Sequence, residues 1–319
     1  MRTKIVYCII SSENDCYLEQ LLLSIYSLRK KNNKVYIEVV TDNATCESLV
    51  GWRKALHSIV DYINIVEIPQ KYNKVQCSRF LKTNLRNIVS GDFLFIDTDT
   101  VICSKLNGID YFQGDILLVA DCNGNVKLTE NATIAKCQKA GFEDMANKPY
   151  FNSGVMLVKD SAANHEFYEQ WFLNWEKSIS NGVNLDQPAL NYTNYKNGCI
   201  IRELEGGWNC QIYFNGWEYL SKSKILHYAG GGQNQRINEI YKIIRESGCN
   251  DPRLQTYLKY PRTRLYSYLT NNDMTVKSKL LVKCKIFFPS IYKMLTKHYI
   301  IIPLTLNLND YGYRVLQRL

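Results

Sequence analysis

Residues 4–11, KIVYCIIS, form a nearly unbroken run of apolar and β-branched side chains, the pattern of a strand covered on both faces. Polar residues follow, and then Leu18, Leu21, Leu22, Ile25 and Leu28 recur at helical spacing. That segment, Tyr17–Lys31, closes on Arg29-Lys30-Lys31, where basic groups meet the negative end of a helix dipole. The alternation continues. Val35–Val40 predicts a second strand, Gly51–Val60 a helix and Ile63–Ile68 a third strand ahead of Pro69. Gln76–Val89 predicts another helix, and Gly91-Asp92 introduces Phe93–Ile96 as a fourth strand. Strands and helices alternating at this pace predict an α/β fold, a mixed, mainly parallel sheet flanked by helices. In such sheets ligands collect beyond the carboxyl ends of the strands.

Charge divides the chain in two. Residues 1–250 hold 27 Lys+Arg and 27 Asp+Glu, whereas residues 251–319 hold 12 against 3, so the whole net charge of +9 falls on the last 69 residues. The expected organisation is a neutral domain, 1–250, followed by a basic, aromatic and largely helical C-terminal appendage, 251–319. A balanced body without a nucleic-acid motif argues against a nucleic-acid-binding protein. The 11 cysteines are scattered without CxxC spacing, which argues against zinc ribbons and disulfide scaffolds. Cys8, inside an apolar run, reads as a small buried hydrophobe. The segment MRTKIVYCII lacks a signal-peptide cleavage pattern, and no run of 18 apolar residues suggests a spanning helix. A reducing cytoplasm is the expected setting.

Candidate chemistry begins where the fourth strand ends. Phe93–Ile96 runs directly into Asp97-Thr98-Asp99, and carboxylates at i and i+2 fall on one side of an extended chain. Held together they repel, and a divalent cation such as Mg²⁺ or Mn²⁺ offsets that repulsion and bridges to a diphosphate. Alone, the same triplet also suits a solvated turn. Asn152-Ser153-Gly154 predicts a turn ahead of a buried strand, with Asn152 presenting an amide to a sugar and Gly154 permitting close backbone approach. Asp186-Gln187 precedes Pro188, which suits the first position of a helix, so Asp186 is either a helix cap or a site carboxylate. Finally Lys224–His227 ends a predicted strand in an imidazole, a metal-ligand candidate, and Gly230-Gly231-Gly232 offers backbone amides to phosphate oxygens.

The segments KIVYCII, SIYSL, SRFLK, FLFIDTDTVI, FNSGVMLV, LDQPALN and ILHYAG, in this order over about residues 4–232, resemble glycosyltransferase family 8. That group has the GT-A (Rossmann-like) fold and contains glycogenin and bacterial lipopolysaccharide hexosyltransferases. The resemblance implies Mn²⁺ (or Mg²⁺) on Asp97, Asp99 and His227, with a UDP-sugar as donor. It implies that Arg79 or Lys82 approaches the donor. Asp121, Asn152, Asp186 and Gln187 would surround the transferred sugar and acceptor, with the Asp186 carboxylate or the Gln187 carbonyl stabilising oxocarbenium-like charge. Transfer with retention of anomeric configuration is implied, from donor to a glycan or lipid-linked acceptor in cell-surface polysaccharide or lipopolysaccharide synthesis. Three departures stand out. Ser11-Ser12-Glu13 occupies the place of the family's acidic nucleotide contacts, with Asp15 displaced; Gln233 stands where the family carries a diphosphate-pairing Lys; and residues between Asp121 and Tyr150 match nothing.

The C-terminal segment adds ten Tyr or Phe to its 12 basic residues. Each Lys or Arg near an anionic bilayer contributes about 1 kcal/mol, so the expected partner is the inner face of the plasma membrane, the alternative being a helical appendage packed on the domain before it. The lysines of VKSKLLVKCKIFF do not gather on one helical face, so a clean amphipathic helix is not predicted. The competing readings are an inverting GT-A transferase with Asp186 as base, and a catalytically silent sugar-nucleotide-binding protein.

Overall fold

In the computed structural model, which describes residues 1–212, 214–228, 236–265, 288 and 290, the N-terminal apolar run is β1 (Lys4–Ile9). Its side chains divide between two cores. Ile5, Tyr7 and Ile9 point into one cluster, Val6 and Cys8 into the other, which is why the run has no polar face. The helix Tyr17–Lys31 covers the first face with ten buried side chains. It leads to β2 (Ile37–Thr41) and then β3 (Tyr62–Ile65), both parallel to their neighbours. The chain next crosses to the other side of β1, where β4 (Phe93–Ile96) also runs parallel to it.

The remaining strands are β5 (Thr100–Ile102), β6 (Ile116–Ala120), β7 (Phe151–Val158), β8 (Arg202–Glu203), β9 (Cys210–Gln211) and β10 (Ile225–His227). A seven-stranded sheet takes the order β3-β2-β1-β4-β7-β6-β8, with β7 antiparallel to both its neighbours and the other described strands aligned. A three-stranded sheet, β5-β10-β9, stands beside it. Strand order reverses between β1 and β4, and that switch point opens a crevice beyond their carboxyl ends. Phe93 and Phe95 face one core while Leu94 and Ile96 face the other, so β4 is anchored from both sides up to the residue before Asp97.

The predicted elements differ from the observed ones at several places. The helix expected over Gln76–Val89 is Lys74–Thr83 followed by a short turn of helix, Leu85–Ile88. Asn73 and Gln76 form a capping box that starts it early, and the Asn84 amide bonds back to the Phe80 carbonyl where it breaks. Asn152-Ser153-Gly154 is not a turn before a strand but lies inside β7. Its pairing with β6 jumps from Leu118↔Met156 to Val119↔Asn152, so Ser153, Gly154 and Val155 bulge out of that ladder while Gly154 still bonds Asp97 of the β4 side.

The beginning of the basic C-terminal segment packs onto the body. Leu254 and Leu258 of the helix Pro252–Lys259, with Leu265, are buried in the larger core. Residues 266–287, 289 and 291–319, which hold most of the expected membrane-binding segment, lie outside the described residues. Among the described residues no helix is long and apolar enough to cross a membrane. The described cysteines are all free thiols, and Cys8 is buried as expected of a small hydrophobe.

Candidate active site

Asp97 and Asp99 stand between β4 and β5, at the mouth of the switch-point crevice. The Asp97 N–H donates to the Gly154 carbonyl (2.8 Å), and the Thr98 hydroxyl donates to Gln20 Oε1 (3.2 Å), so the turn is held from both neighbouring elements. His227 arrives from the second sheet at the end of β10, whose residues pair with Thr100, Val101 and Ile102 of β5. Its side chain is 7% exposed, and its Nε2 lies 3.3 Å from Asp99 Oδ1. The ligand atoms of Asp97, Asp99 and His227 all fall within 4.8 Å of one another.

This donor set suits a divalent cation. Burial and the neighbouring Asp99 raise the Asp97 pKa, although Lys82 pulls against them. Burial acts against a charged His227, and the Asp99 carboxylate outweighs it, so the imidazole pKa is raised. A carboxylate made unstable by its own setting, beside a second carboxylate and an imidazole, is relieved by added positive charge. Two carboxylates and one imidazole are oxygen and nitrogen ligands compatible with Mn²⁺ or Mg²⁺.

Gly154 explains how the ring fits. A Cβ built there would stand 2.4 Å from His227 Cε1 and 2.9 Å from Asn152 Oδ1. The close approach foreseen at this glycine is therefore to the histidine.

Next to the cation cluster lies a cavity of about 200 Å³ lined by Arg79, Lys82, Asp97, Asp121, Asn152, Asp186, Gln187 and His227. Lys82 Nζ is central to it, 3.1 Å from Ser153 Oγ, 3.2 Å from Asp97 Oδ1 and 3.4 Å from Asp186 Oδ2. Arg79 Nε reaches Asp186 Oδ1 at 3.0 Å, and the Ser153 hydroxyl donates to Asp186 Oδ2 at 2.8 Å. Asp186 does precede the helix Gln187–Lys196, but its side chain makes no capping bond. Burial works to raise its pKa, yet Lys82 and Arg79 prevail and hold it at about 2. It is a fixed carboxylate anion.

Amides line the opposite wall. Asn152 Nδ2 donates to Asp121 Oδ1 (3.1 Å) and Gln187 Oε1 (3.3 Å), and the Ser153 N–H also donates to Gln187 Oε1 (3.3 Å). The Gln187 carbonyl, expected to face developing positive charge, thus already accepts two bonds from β7. Asn191, fully buried one helical turn on, exchanges bonds with the backbone of Phe151 at 2.7 and 2.9 Å, which ties this helix to β7. The unmatched stretch after Asp121 contributes Thr133 and Lys136, from the helix Asn131–Lys139, to the cavity edge.

A second cavity, about 280 Å³, adjoins the first along Arg79 and Asp97. The end of β1 (Cys8, Ile9), Tyr17, Lys74 and Asp99 line it. Lys74 pairs with Asp15 and donates to Ser12 Oγ (2.8 Å), so the displaced acid is neutralised at the rim. Ser11 is buried, donates to Asp15 Oδ1 (2.8 Å) and accepts from Arg53 (3.2 Å), and is not among the residues lining either cavity. Gly230 and Gln233 lie outside the described residues.

Sequence reading missed Asn209, Ser153 as a ligand of Lys82, and Asn191. Asn209 is wholly buried, and its side chain sits 3.0 Å from His227 Nδ1 and 2.8 Å from Asn152 Oδ1. The only sign in the sequence is an amide amid Gly206-Gly207-Trp208 and Cys210, which is weak.

A sequence model of the protein family described as glycosyl transferase family 8 matches residues 8–233. Among solved structures, the fold is similar to that of the galactosyltransferase LgtC in complex with donor and acceptor sugar analogues: TM-score 0.50, 14% identity, 75% of this chain and 95% of that one. It is also similar to the glycosyltransferase GlyE of Streptococcus pneumoniae TIGR4 (TM-score 0.52, 16% identity, 81% of this chain and 62% of that one). The bifunctional glycosyltransferase WbbM gives TM-score 0.52 at 15% identity, over 81% of this chain and 51% of that one. At such identities the likeness speaks for the GT-A fold alone. Among curated proteins, none matches.

Proposed function

The chain belongs to glycosyl transferase family 8 and is a glycosyltransferase, and on that premise we propose that it moves a hexose, glucose or galactose, from a UDP-sugar to a glycan or lipid-linked acceptor with retention. The observation that carries the proposal is the convergence of Asp97, Asp99 and His227 between two adjoining cavities at the switch point. In this reading the larger cavity takes the nucleotide and the smaller one the hexose, so that the diphosphate spans the cluster. Mn²⁺ or Mg²⁺ on those three side chains would supply Lewis-acid charge to the departing diphosphate.

The chain's own residues do the rest. Arg79 and Lys82 hold Asp186 in place and ionised. A carboxylate with a pKa of about 2 is a poor general base near neutrality, which disfavours the inverting reading in which Asp186 deprotonates the acceptor. As a fixed anion it is suited to stabilising oxocarbenium-like charge on the transferred sugar. Asp121 and Asn152 present a carboxylate and an amide to sugar hydroxyls.

We extend the proposal to cell-surface polysaccharide or lipopolysaccharide synthesis at the inner membrane face, on the strength of the +9 carried by residues 251–319. Sedimentation with anionic vesicles should weaken with salt and with deletion of residues 266–319; unchanged binding after deletion rejects attachment through them.

A nucleotide-sugar screen tests the donor. With Mn²⁺, one UDP-hexose should raise the unfolding temperature most, and ligand at 100 times its Kd adds about 2.7 kcal/mol. NMR of the transferred sugar should then show the donor's anomeric configuration. Inversion contradicts the reading, and stabilisation without turnover favours the silent binding protein.

A further inference from the structure

Three amide-bearing residues connect the cation cluster to the hexose cavity, and one backbone N–H sets the polarity of the whole chain of bonds. The Gly154 N–H donates to Asn152 Oδ1 at 3.0 Å, and a backbone N–H can only donate. Asn152 therefore presents its oxygen to that side and its Nδ2 to Asp121 and Gln187. The Asn209 atom 2.8 Å from Asn152 Oδ1 must then be its nitrogen, which leaves Asn209 Oδ1 facing His227 Nδ1 at 3.0 Å. An oxygen there requires the proton on Nδ1. In the neutral ring the lone pair is consequently on Nε2, the atom that faces Asp99 at 3.3 Å.

Resting on the functional reading above, we propose that Asn209 is a positioning residue that couples cation binding to the hexose site. Its carbonyl selects the His227 tautomer able to ligate a cation. Its amino group holds Asn152 so that the Asn152 amide faces Asp121 and Gln187. Asn209 touches neither sugar nor cation in this scheme. It is buried, on the turn Gly206–Asn209 just ahead of β9, and its backbone carbonyl oxygen accepts from Asn123 Nδ2 at 3.0 Å. That bond fixes the backbone from which the side chain reaches both partners.

The two roles separate by substitution. Asn209→Ala removes both bonds. Asn209→Asp keeps an oxygen for His227 Nδ1–H but replaces the donor to Asn152 Oδ1 with a second acceptor.

The test is Mn²⁺ titration of the full-length protein, with free Mn²⁺ read by electron paramagnetic resonance, alongside UDP-hexose hydrolysis kinetics. Far-ultraviolet circular dichroism and the unfolding midpoint verify folding. Loss of a ligand's supporting partner costs roughly 10–100-fold in metal affinity, and Asn209→Ala should fall in that range. Asn209→Asp should bind Mn²⁺ at least as tightly as wild type while kcat drops at least about 10-fold, the lower end of the same range. Wild-type Mn²⁺ affinity in Asn209→Ala, or affinity lost in Asn209→Asp, overturns the inference. If Asn209→Ala does not fold, Asn209→Asp alone decides it. Absence of Mn²⁺ binding by wild type would instead remove the functional reading together with the inference.

Discussion

The two adjoining cavities are built on opposite principles. Around the smaller one, Lys82 and Asp186 have side chains only 3% and 5% exposed, and they bond each other, Asp97 just past β4, Ser153 of β7 and Arg79 of the helix Lys74–Thr83. Around the larger one, Lys74 is 45% exposed and Tyr17 42%, and the pair Lys74–Asp15 sits at the rim. Charges in the first site are already oriented in the dry interior before any ligand arrives, the condition under which electrostatics act strongly on a reacting centre. Lys74 at the second site is half solvated, and its pair with Asp15 lies at the rim rather than in the interior. Bond-breaking chemistry needs the former, whereas holding a nucleotide needs only the latter.

That contrast predicts a graded set of responses. The largest stability change should come from Lys82→Met, which leaves Asp97 and Asp186 facing each other without the intervening cation. Breaking a buried pair costs about 3–5 kcal/mol, read as a lower urea midpoint. A near-neutral result would mean that the interior site is not electrostatically interlocked.

Acid should reveal the same interlock from the other partner. The Asp186 pKa is about 2 when folded and about 3.9 in an unfolded chain, so its stabilisation is complete above about pH 5 and fades progressively toward about pH 1. The stability gap between wild type and Asp186→Asn should shrink by about 2–3 kcal/mol across that window. A gap independent of pH would deny the carboxylate its clamp. Smaller again is Gly154→Ala, whose Cβ meets the His227 ring at 2.4 Å. Overpacking there should cost about 1–3 kcal/mol and weaken Mn²⁺ binding, measurable by calorimetry. At the rim, Lys74→Ala should change stability by no more than about 1 kcal/mol and alter the donor KM rather than kcat. A large kcat loss there would erase the distinction between the cavities.

What the sequence disclosed follows the same division by distance along the chain. Phe93–Ile96 leading into Asp97-Thr98-Asp99, and Ile225-Leu226 leading into His227, are legible because an apolar strand ending in a ligating residue is a local pattern. The parallel half of the sheet was legible for the same reason. Asn152-Ser153-Gly154 was not, because a polar triplet with glycine reads as a turn unless one knows that β7 bulges there, with Asn152 paired to Val119 of β6 and Gly154 accepting from Asp97 just past β4. Lys82 looked like a donor contact, yet its partners are two carboxylates, Asp186 among them, and a serine 71 residues away. Asn209 is the extreme case: its partners lie 57 residues before it and 18 after it, and no local pattern announces them.

The most direct test of the central claim is hydrolysis of the best-stabilising UDP-hexose by wild type and Asp99→Asn, with Mn²⁺ and with chelator. The account predicts turnover that requires the cation and falls in Asp99→Asn by more than the roughly 10–100-fold seen when only a supporting partner of a ligand is lost. Equal turnover in the two proteins, or turnover indifferent to chelation, would contradict a cation site at Asp97, Asp99 and His227.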